Sequence, residues 1–450
     1  MPILYAKAKL GPLSFQNHLV MSPMTRSRAT ENMPNALMAK YYAQRASAGL
    51  IITEGTSPSP NGLGYPRIPG IFSQAQVEGW KRTTDAVHAK GAKIFIQIMH
   101  CGRIAHPLNL PEGAHVLAPS AVKAAGEMNT DAEGKKPHPV PQAMTAADIK
   151  ATIAEYVQAA QNAVKAGFDG IELHSANGYL LEQFIRPNTN QRKDDYGGPI
   201  ENRARFVLET AKAVIDAIGK QMVGIRLSPF GVFNDMPLYD AMMADYTYLA
   251  QQLNTLGLVY IHLVDHSSMG TPPVPDAIKT TFRKLFKRTL ILSGGYDAER
   301  AESDLVAGKC DLIAVGRPFL ANPDLVERWR TGAALNVPDM DTFYTSGPEG
   351  YTDYPALFNP KRGGKIMDNG ALCEKIRQLY PDIGECGIDV RAEYDEAQKA
   401  WVVYLKRDNQ ALKTYLDEGD AEKCMIGNKC VGLSIQVAQL RGNIEELSGD

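Results

Sequence analysis

The chain has 450 residues, of which 44% are apolar and 22% charged, with a formal net charge of −2. That balance fits a soluble globular protein able to bury a full core, and it excludes a global field that would draw nucleic acid or an anionic membrane surface. The first residues, MPILYAKAKLGPLSF, lack a basic stretch followed by an apolar one, and no run of about 18 apolar residues occurs, so neither an export signal nor a membrane span is expected. Six cysteines (Cys101, Cys310, Cys373, Cys386, Cys424 and Cys430) in so long a chain point to reduced thiols and a cytoplasmic setting.

At the N-terminus, Ile3–Ala6 and Leu13–Asn17 flank Leu10-Gly11-Pro12 and read as a hairpin that would plug the bottom of a barrel. Short apolar, β-branched runs then recur at His18–Met24, Gly49–Gly55, Lys93–His100, Gly170–Ser175, Val223–Ser228, Tyr260–Asp265, Thr289–Gly295 and Asp311–Gly316. Between them lie helical patterns at Gln76–Lys90, Ala146–Ala166, Ile200–Ile218, Tyr239–Leu256 and Ala298–Ala307. Eight strands alternating with helices predict an α/β fold of the closed TIM (β/α)₈ barrel type rather than an open doubly wound sheet. Gly102–Ala143, rich in Pro, Ala, Gly and Lys, reads as an excursion over the barrel's top, where long loops are usually functional.

The texture changes near Pro360, so residues 1–360 are assigned to the barrel and 361–450 to a small C-terminal α/β appendage. Lys361-Arg362-Gly363-Gly364 looks like a linker. Leu372–Tyr380 suggests a helix, Ile388–Tyr394 and Trp401–Lys406 a hairpin, and Asn409–Leu416 a second helix. Four cysteines fall here without a C-x₂-C pair, so free or buried thiols are expected rather than zinc.

In a barrel, chemistry is read at the C-terminal ends of the strands. The seventh ends Ser293-Gly294-Gly295 and the eighth Val315-Gly316-Arg317. Two glycine-containing ends followed by helix starts offer backbone N–H groups to an anion, and Arg317 adds a fork of donors for phosphate oxygens. The plainer alternative is a tight turn at Gly294-Gly295. Gln97 and Arg226 are polar residues inside otherwise apolar strands and need buried partners. Either Arg226 pairs internally with Glu54 or Glu172, or both residues meet a polar heterocycle above the barrel. His174, Asn177 and Tyr179 cluster at the end of the fourth strand. A His and an Asn aimed at one spot can hold a carbonyl oxygen while a phenol donates a proton, although a lone His is more often structural. No Lys ends a strand, no G-x-S-x-G or G-x-G-x-x-G occurs, and no spacing compels His100, His174, His262, Asp265 and His266 into a metal site.

The chain resembles the old yellow enzyme family of FMN-dependent ene-reductases over about residues 1–358. The blocks that carry the likeness are SPMTRSRA from Ser22, TEGT from Thr53, GRIAHP from Gly102, the stretch Gly170–Glu209, SGGY from Ser293, VGRPFLANPDL from Val315 and TFYTSGPEGYTDYP from Thr342. The resemblance implies that Pro23, Met24, Thr25, Gly55 and Gln97 bind the flavin ring, that Arg226 sits near its N1 and O2, and that Gly294, Gly295, Gly316 and Arg317 belong to the corner that holds the phosphate. It further implies that His174 and Asn177 grip the substrate's carbonyl or nitro oxygen, that Tyr179 is the proton donor, and that Tyr65 and Tyr344 line the substrate pocket. Met99 stands where many relatives carry Trp, which would either open that pocket or be a tolerated packing change, and Cys101 stands where Thr is common, as a reactive thiol near the site or, more simply, a buried inert one. Thr25 in place of Cys suggests the threonine-type branch. NADPH or NADH would reduce FMN, and an activated alkene or nitro compound would then take its place in a ping-pong cycle. Reduction of nitrate esters or nitroaromatics is the rival activity, and a flavin-binding sensor or scaffold recruiting a partner through the tail is the rival from another class. The oligomeric state is not set by the sequence.

Overall fold

The computed structural model describes residues 2–357 and, beyond them, residues 369–381, 384–385, 389–395, 398, 400–407, 410–417, 420–421, 424, 430 and 433. Contacts divide the chain into two units, Met1–Pro355 and Ala356–Asp450. The proposed linker at 361–364 lies outside the described residues, as do Ile388 and Cys386.

The first unit is a closed parallel barrel of eight strands. They are β1 (Leu19–Met21), β2 (Leu50–Thr56), β3 (Lys93–Ile98), β4 (Gly170–Ser175), β5 (Val223–Leu227), β6 (Tyr260–Val264), β7 (Thr289–Ser293) and β8 (Leu312–Val315). Each strand pairs with its sequence neighbours, and β8 closes on β1. The helices that return the chain are α1 (Ala36–Gln44), α2 (Gln74–His88), α3 (Ala146–Lys165), α4 (Arg205–Ile218), α5 (Met242–Leu256), α6 (Asp276–Leu285), α7 (Ala298–Val306) and α8 (Leu325–Thr331). Local signals set the helix starts: Ser73 and Gln76 form a capping box on α2, and Thr145 and Asp148 one on α3.

The strands are buried on both faces, which is why they read as continuous apolar runs. The lower interior is apolar. Val20, Leu50, Ile52, Phe95, Tyr260, Ile291 and Leu312 pack there against Ala8, Leu10 and Phe15. Gly170 and Gly224 leave room for the rings of Phe95 and Tyr260, because a Cβ at either would lie 2.4 or 2.2 Å from ring atoms. One step higher the interior turns polar, with Glu172 beside Gln97 and Arg226 beside His262 in register.

The N-terminal hairpin does cap the bottom, but its first strand is Ala8–Leu10, paired with Leu13–Phe15, and Ile3–Tyr5 is a 3₁₀ turn. The alternation of buried Ala8 and Leu10 with exposed Lys9 is a strand pattern, whereas Leu4 and Tyr5 are buried consecutively. Among the described residues no helix is long and apolar enough to cross a membrane.

The second unit contains α9 (Asn369–Leu379) and an antiparallel sheet of β9 (Val390–Asp395), β10 (Ala400–Arg407) and β11 (Gln410–Asp417). Trp401, Val403, Leu405, Leu416, Leu372 and Ile376 form its core. Two expectations fail here. Asn409–Leu416 is not a helix: Thr414 and Leu416 turn inward while Lys413 and Tyr415 turn out, which is the two-residue period of a strand. Nor are the tail's thiols all reduced. Cys424 and Cys430 form a disulfide, and Cys373 is disulfide-bonded as well. Tertiary packing brings these residues into one core, and linear spacing carries no trace of it. In the barrel unit Cys101 and Cys310 are free and buried.

Candidate active site

The top of the barrel opens into two adjoining cavities of about 550 and 380 Å³, both within the range of small-molecule sites. Pro23, Thr25, Asn177, Arg226, His266, Met269 and Tyr344 line both, so the two form lobes of one mouth.

The larger lobe is walled by the ends of β1, β6, β7 and β8, including Met24, Gly294, Gly295, Gly316 and Arg317. Gly294 and Gly295 have φ of +138° and +63°, and added Cβ atoms would meet Asp265 at 2.7 Å and Ser268 at 2.6 Å. Both glycines are therefore required by the backbone path and by close approach. The Arg317 guanidinium contacts the Ser268 carbonyl from Nη2 at 3.4 Å. This corner suits an anion.

The smaller lobe holds Gly55, Gln97, Met99, His174, Tyr179 and Tyr65. A bulge between Ile52 and Gly55 in β2 sets Gly55 against Met99, whose Sδ would lie 2.5 Å from any Cβ there. Met99 therefore packs onto the strand end, where the family resemblance suggested an opened pocket. The Gly102–Ala143 excursion contributes Glu127, Met128 and Asn129 from a hairpin spanning residues 127–137.

Arg226 is the electrostatic centre. Among the described residues its buried Nε has no hydrogen-bond partner, and burial lowers its pKa even with Glu172 nearby. Glu172 accepts from Gln97 Nε2 at 2.8 Å, Tyr260 OH at 3.0 Å and His262 Nδ1 at 2.9 Å. Burial opposes its charge, but His262 and then Arg226, with the bonds from His262 and Gln97, hold the carboxyl below its ordinary value. Burial holds His262 itself below its ordinary value. At neutral pH the ring is thus neutral, and the positive charge facing Glu172 is the guanidinium. Glu54 is spent elsewhere, on the Arg26 backbone and the Tyr42 phenol.

His174 is buried, its Nδ1 has no hydrogen-bond partner among the described residues, and burial followed by the charge of Arg226 keeps the ring neutral. Its ring meets Tyr179 edge-on at 4.8 Å. Burial pushes the Tyr179 phenol well above its ordinary pKa, so it keeps its proton. The turn at 176–179 stands on Glu182, which accepts from Gly178 N at 2.7 Å, Ser228 Oγ at 2.9 Å and Tyr246 OH at 2.7 Å, and pairs with Arg186.

Every residue picked out from the sequence thus borders one lobe or the other. The sequence did not show how Tyr344 reaches the rim. Arg26 donates to the Phe343 and Gly350 carbonyls, and Arg28 to those of Thr342, Phe343 and Glu349, strapping this late segment to the end of β1. His266, Met269, Phe233 and Asn234 were not picked out as site residues; they come from loops whose path is set by packing.

A barrel mouth with an anion corner, a buried guanidinium whose Nε has no hydrogen-bond partner among the described residues, and two joined lobes has room for a phosphate-tailed heterocycle and a second flat molecule. These residues fit a flavin nucleotide, and the class is that of barrel-fold flavin oxidoreductases. The chain belongs to the NADH:flavin oxidoreductase / NADH oxidase family, whose model matches residues 4–336. It is 43% identical over 353 residues to a probable flavin mononucleotide-dependent alkene reductase of Leishmania infantum, covering 77% of this chain and 96% of that one. It is 42% identical over 355 residues to 12-oxophytodienoate reductase 1 of Oryza sativa subsp. japonica, covering 78% and 92%. Morphinone reductase superposes with a TM-score of 0.78 at 45% identity, covering 81% of this chain and 99% of that one. The old yellow enzyme homologue from Zymomonas mobilis does so at 0.75 and 41%, covering 79% and 99%. The resemblance read from the sequence and the barrel fold are borne out, and FMN is the family's cofactor.

Proposed function

We propose that this chain reduces the C=C bond of α,β-unsaturated carbonyl or nitro compounds with NAD(P)H. The observation that carries the reading is the gathering of His174, Asn177 and Tyr179 in the lobe that Arg226 also lines. The alkene reductase and 12-oxophytodienoate reductase relatives support the substrate class, and a morphinone reductase structure in complex with tetrahydroNAD supports the nicotinamide. Bound FMN supplies a two-electron carrier that a nicotinamide reduces and an alkene reoxidises.

The chain's own residues do the rest. Gly294, Gly295, Gly316 and Arg317 hold the phosphate. Pro23, Met24, Thr25, Gly55 and Gln97 border the ring, with Thr25 and Gln97 offering hydrogen bonds. Arg226, unable to lose its proton, favours negative charge beside it. His174 and Asn177 donate to the substrate oxygen and draw electron density from the β-carbon. Tyr179 gives its proton to the α-carbon. Tyr65, Met99 and Tyr344 shape the space above. One mouth serves both half-reactions, so nicotinamide and alkene take turns.

We place the chain in the cytoplasm, where reduced nicotinamide is at hand for the flavin. Both Cys424 and Cys430 are fully buried, out of reach of solution thiols. Cell fractionation tests the placement.

The functional test uses purified holoprotein. NADPH or NADH bleaches its flavin absorbance anaerobically, and 2-cyclohexenone or a nitroalkene restores it with one saturated product per nicotinamide. Bleaching without reoxidation by any activated alkene overturns the reading; nitrite release from a nitrate ester in its place points to the rival activity.

A further inference from the structure

The Asn177 backbone is held at several points. Its φ is +57°, its N–H donates to Ser228 Oγ at 2.8 Å, and its carbonyl accepts from Asn234 Nδ2 at 2.7 Å. None of these contacts decides which way the side-chain amide faces. An amide can be turned end for end at little steric cost, and the two ends are opposites: one accepts, the other donates twice. A substrate carbonyl or nitro oxygen only accepts, so one of the two orientations attracts it and the other repels it.

The contact that distinguishes them is on the far side of the mouth. His266, just beyond β6, brings Nε2 to 2.9 Å from Asn177 Oδ1. Its ring leans on Phe233 with centroids 4.5 Å apart, which fixes the imidazole plane. We propose that His266 is a positioning residue that donates from Nε2 to Asn177 Oδ1, so that the Asn177 amide nitrogen is presented to the substrate oxygen. This rests on the reading of Asn177 as an oxygen grip and adds the residue that makes it selective for acceptor oxygens. Burial, then the charge of Arg226, holds the His266 pKa at about 4, so at neutral pH the ring has one N–H, and this contact places it on Nε2. The Nδ1–H tautomer would accept from the Asn177 amide and turn Oδ1 toward the substrate.

The test is a double-mutant cycle on the FMN-loaded full chain, with 2-cyclohexenone as the probe. Its dissociation constant is read from the flavin spectrum of the oxidised protein, and flavin reduction by NADPH is followed separately. H266F removes the donor and keeps the ring; H266A serves the same cycle if the phenyl disturbs Phe233. Either is expected to weaken cyclohexenone binding about two- to tenfold, the worth of one hydrogen bond, with FMN content unchanged. In N177A, which itself weakens binding, the His266 change is expected to have almost no further effect. If the two losses multiply, His266 acts without Asn177 and the inference is overturned. If N177A alone leaves binding unchanged, the oxygen-grip reading fails first. Unaltered binding in both His266 variants, with N177A impaired, also overturns it.

Discussion

The phenol oxygens of Tyr65 and Tyr179 lie 3.0 Å apart, with their rings nearly perpendicular at 81°. A phenol has one proton, so in this pair one hydroxyl donates and the other keeps its proton free. Burial is the main reason that both pKa values are raised, so neither ionises near neutrality. If Tyr65 donates to Tyr179, the Tyr179 proton is left pointing elsewhere, which is what a proton donor requires. Tyr179→Phe is expected to slow reoxidation of the flavin by 2-cyclohexenone about 100-fold or more, the typical worth of a general acid, and to spare bleaching by NADPH. Tyr65→Phe removes the orienting bond, together with the hydroxyl's contact to the Asn234 side chain, and is expected to cost about two- to tenfold in the same half-reaction. Stopped-flow absorbance separates the two half-reactions; equal losses in both would remove Tyr179 from the proton-donor role.

The Glu172 carboxylate gives a second prediction. It lies at the centre of the barrel and takes donors from Gln97, Tyr260 and His262. Breaking a buried charge pair on one side typically costs about 3–5 kcal/mol. Glu172→Gln leaves Arg226 without the carboxylate that favours its charge and, because an amide keeps only one oxygen, sets its nitrogen against either the Gln97 donor or the Tyr260 and His262 donors. A destabilisation of that order is expected in the denaturant midpoint of the barrel.

Arg226→Met is expected to weaken FMN binding about 10- to 100-fold, the range for one charge-assisted hydrogen bond, measured by quenching of flavin fluorescence. It also strands Glu172. The double variant Glu172→Gln with Arg226→Met is therefore expected to recover stability relative to Arg226→Met without recovering FMN affinity. Recovery of both would mean that Arg226 holds the fold alone.

Much of this was legible because the barrel writes itself in a simple code. Ile94-Phe95-Ile96-Gln97-Ile98 is an apolar run with one polar member, and that member lies in the interior one layer above Phe95. The strand-end glycines and Arg317 stand out in the same way, and they line one lobe together. His266 was harder to find, since its role depends on a loop after β6 reaching Asn177 after β4, and no period or spacing encodes that contact. Glu182 was hidden for the same reason: it looks like an ordinary helix acid until Ser228, Tyr246 and Arg186 converge on it. In the tail, Leu412, Thr414 and Leu416 carried a strand signal that a helical reading overrode.

Glu54 supplies a prediction about pH. It is buried, and burial raises its carboxyl from the ordinary 4.5 to about 7, against the bonds from the Arg26 N–H and the Tyr42 phenol. A raised carboxyl pKa means that the folded protein binds the proton more tightly than the unfolded chain does. Its contribution to stability is fully present below about 4.5 and is lost as pH rises to about 7, beyond which the loss is constant. His100 and His266 have the opposite sign, with folded values near 3 and 4, so their share of stability grows as pH rises from there toward 6.5. The whole-protein profile mixes the two trends, and a difference isolates one of them. Glu54→Gln cannot ionise. Whatever fixed offset its amide introduces, the variant is expected to gain on the natural protein as pH rises from 5 to 8, and to stop gaining above about 7. Thermal midpoints of the two proteins at pH 5, 6, 7 and 8 check this. A difference that stays flat across the series would mean that Arg26 and Arg28, close by, already keep the carboxylate charged throughout.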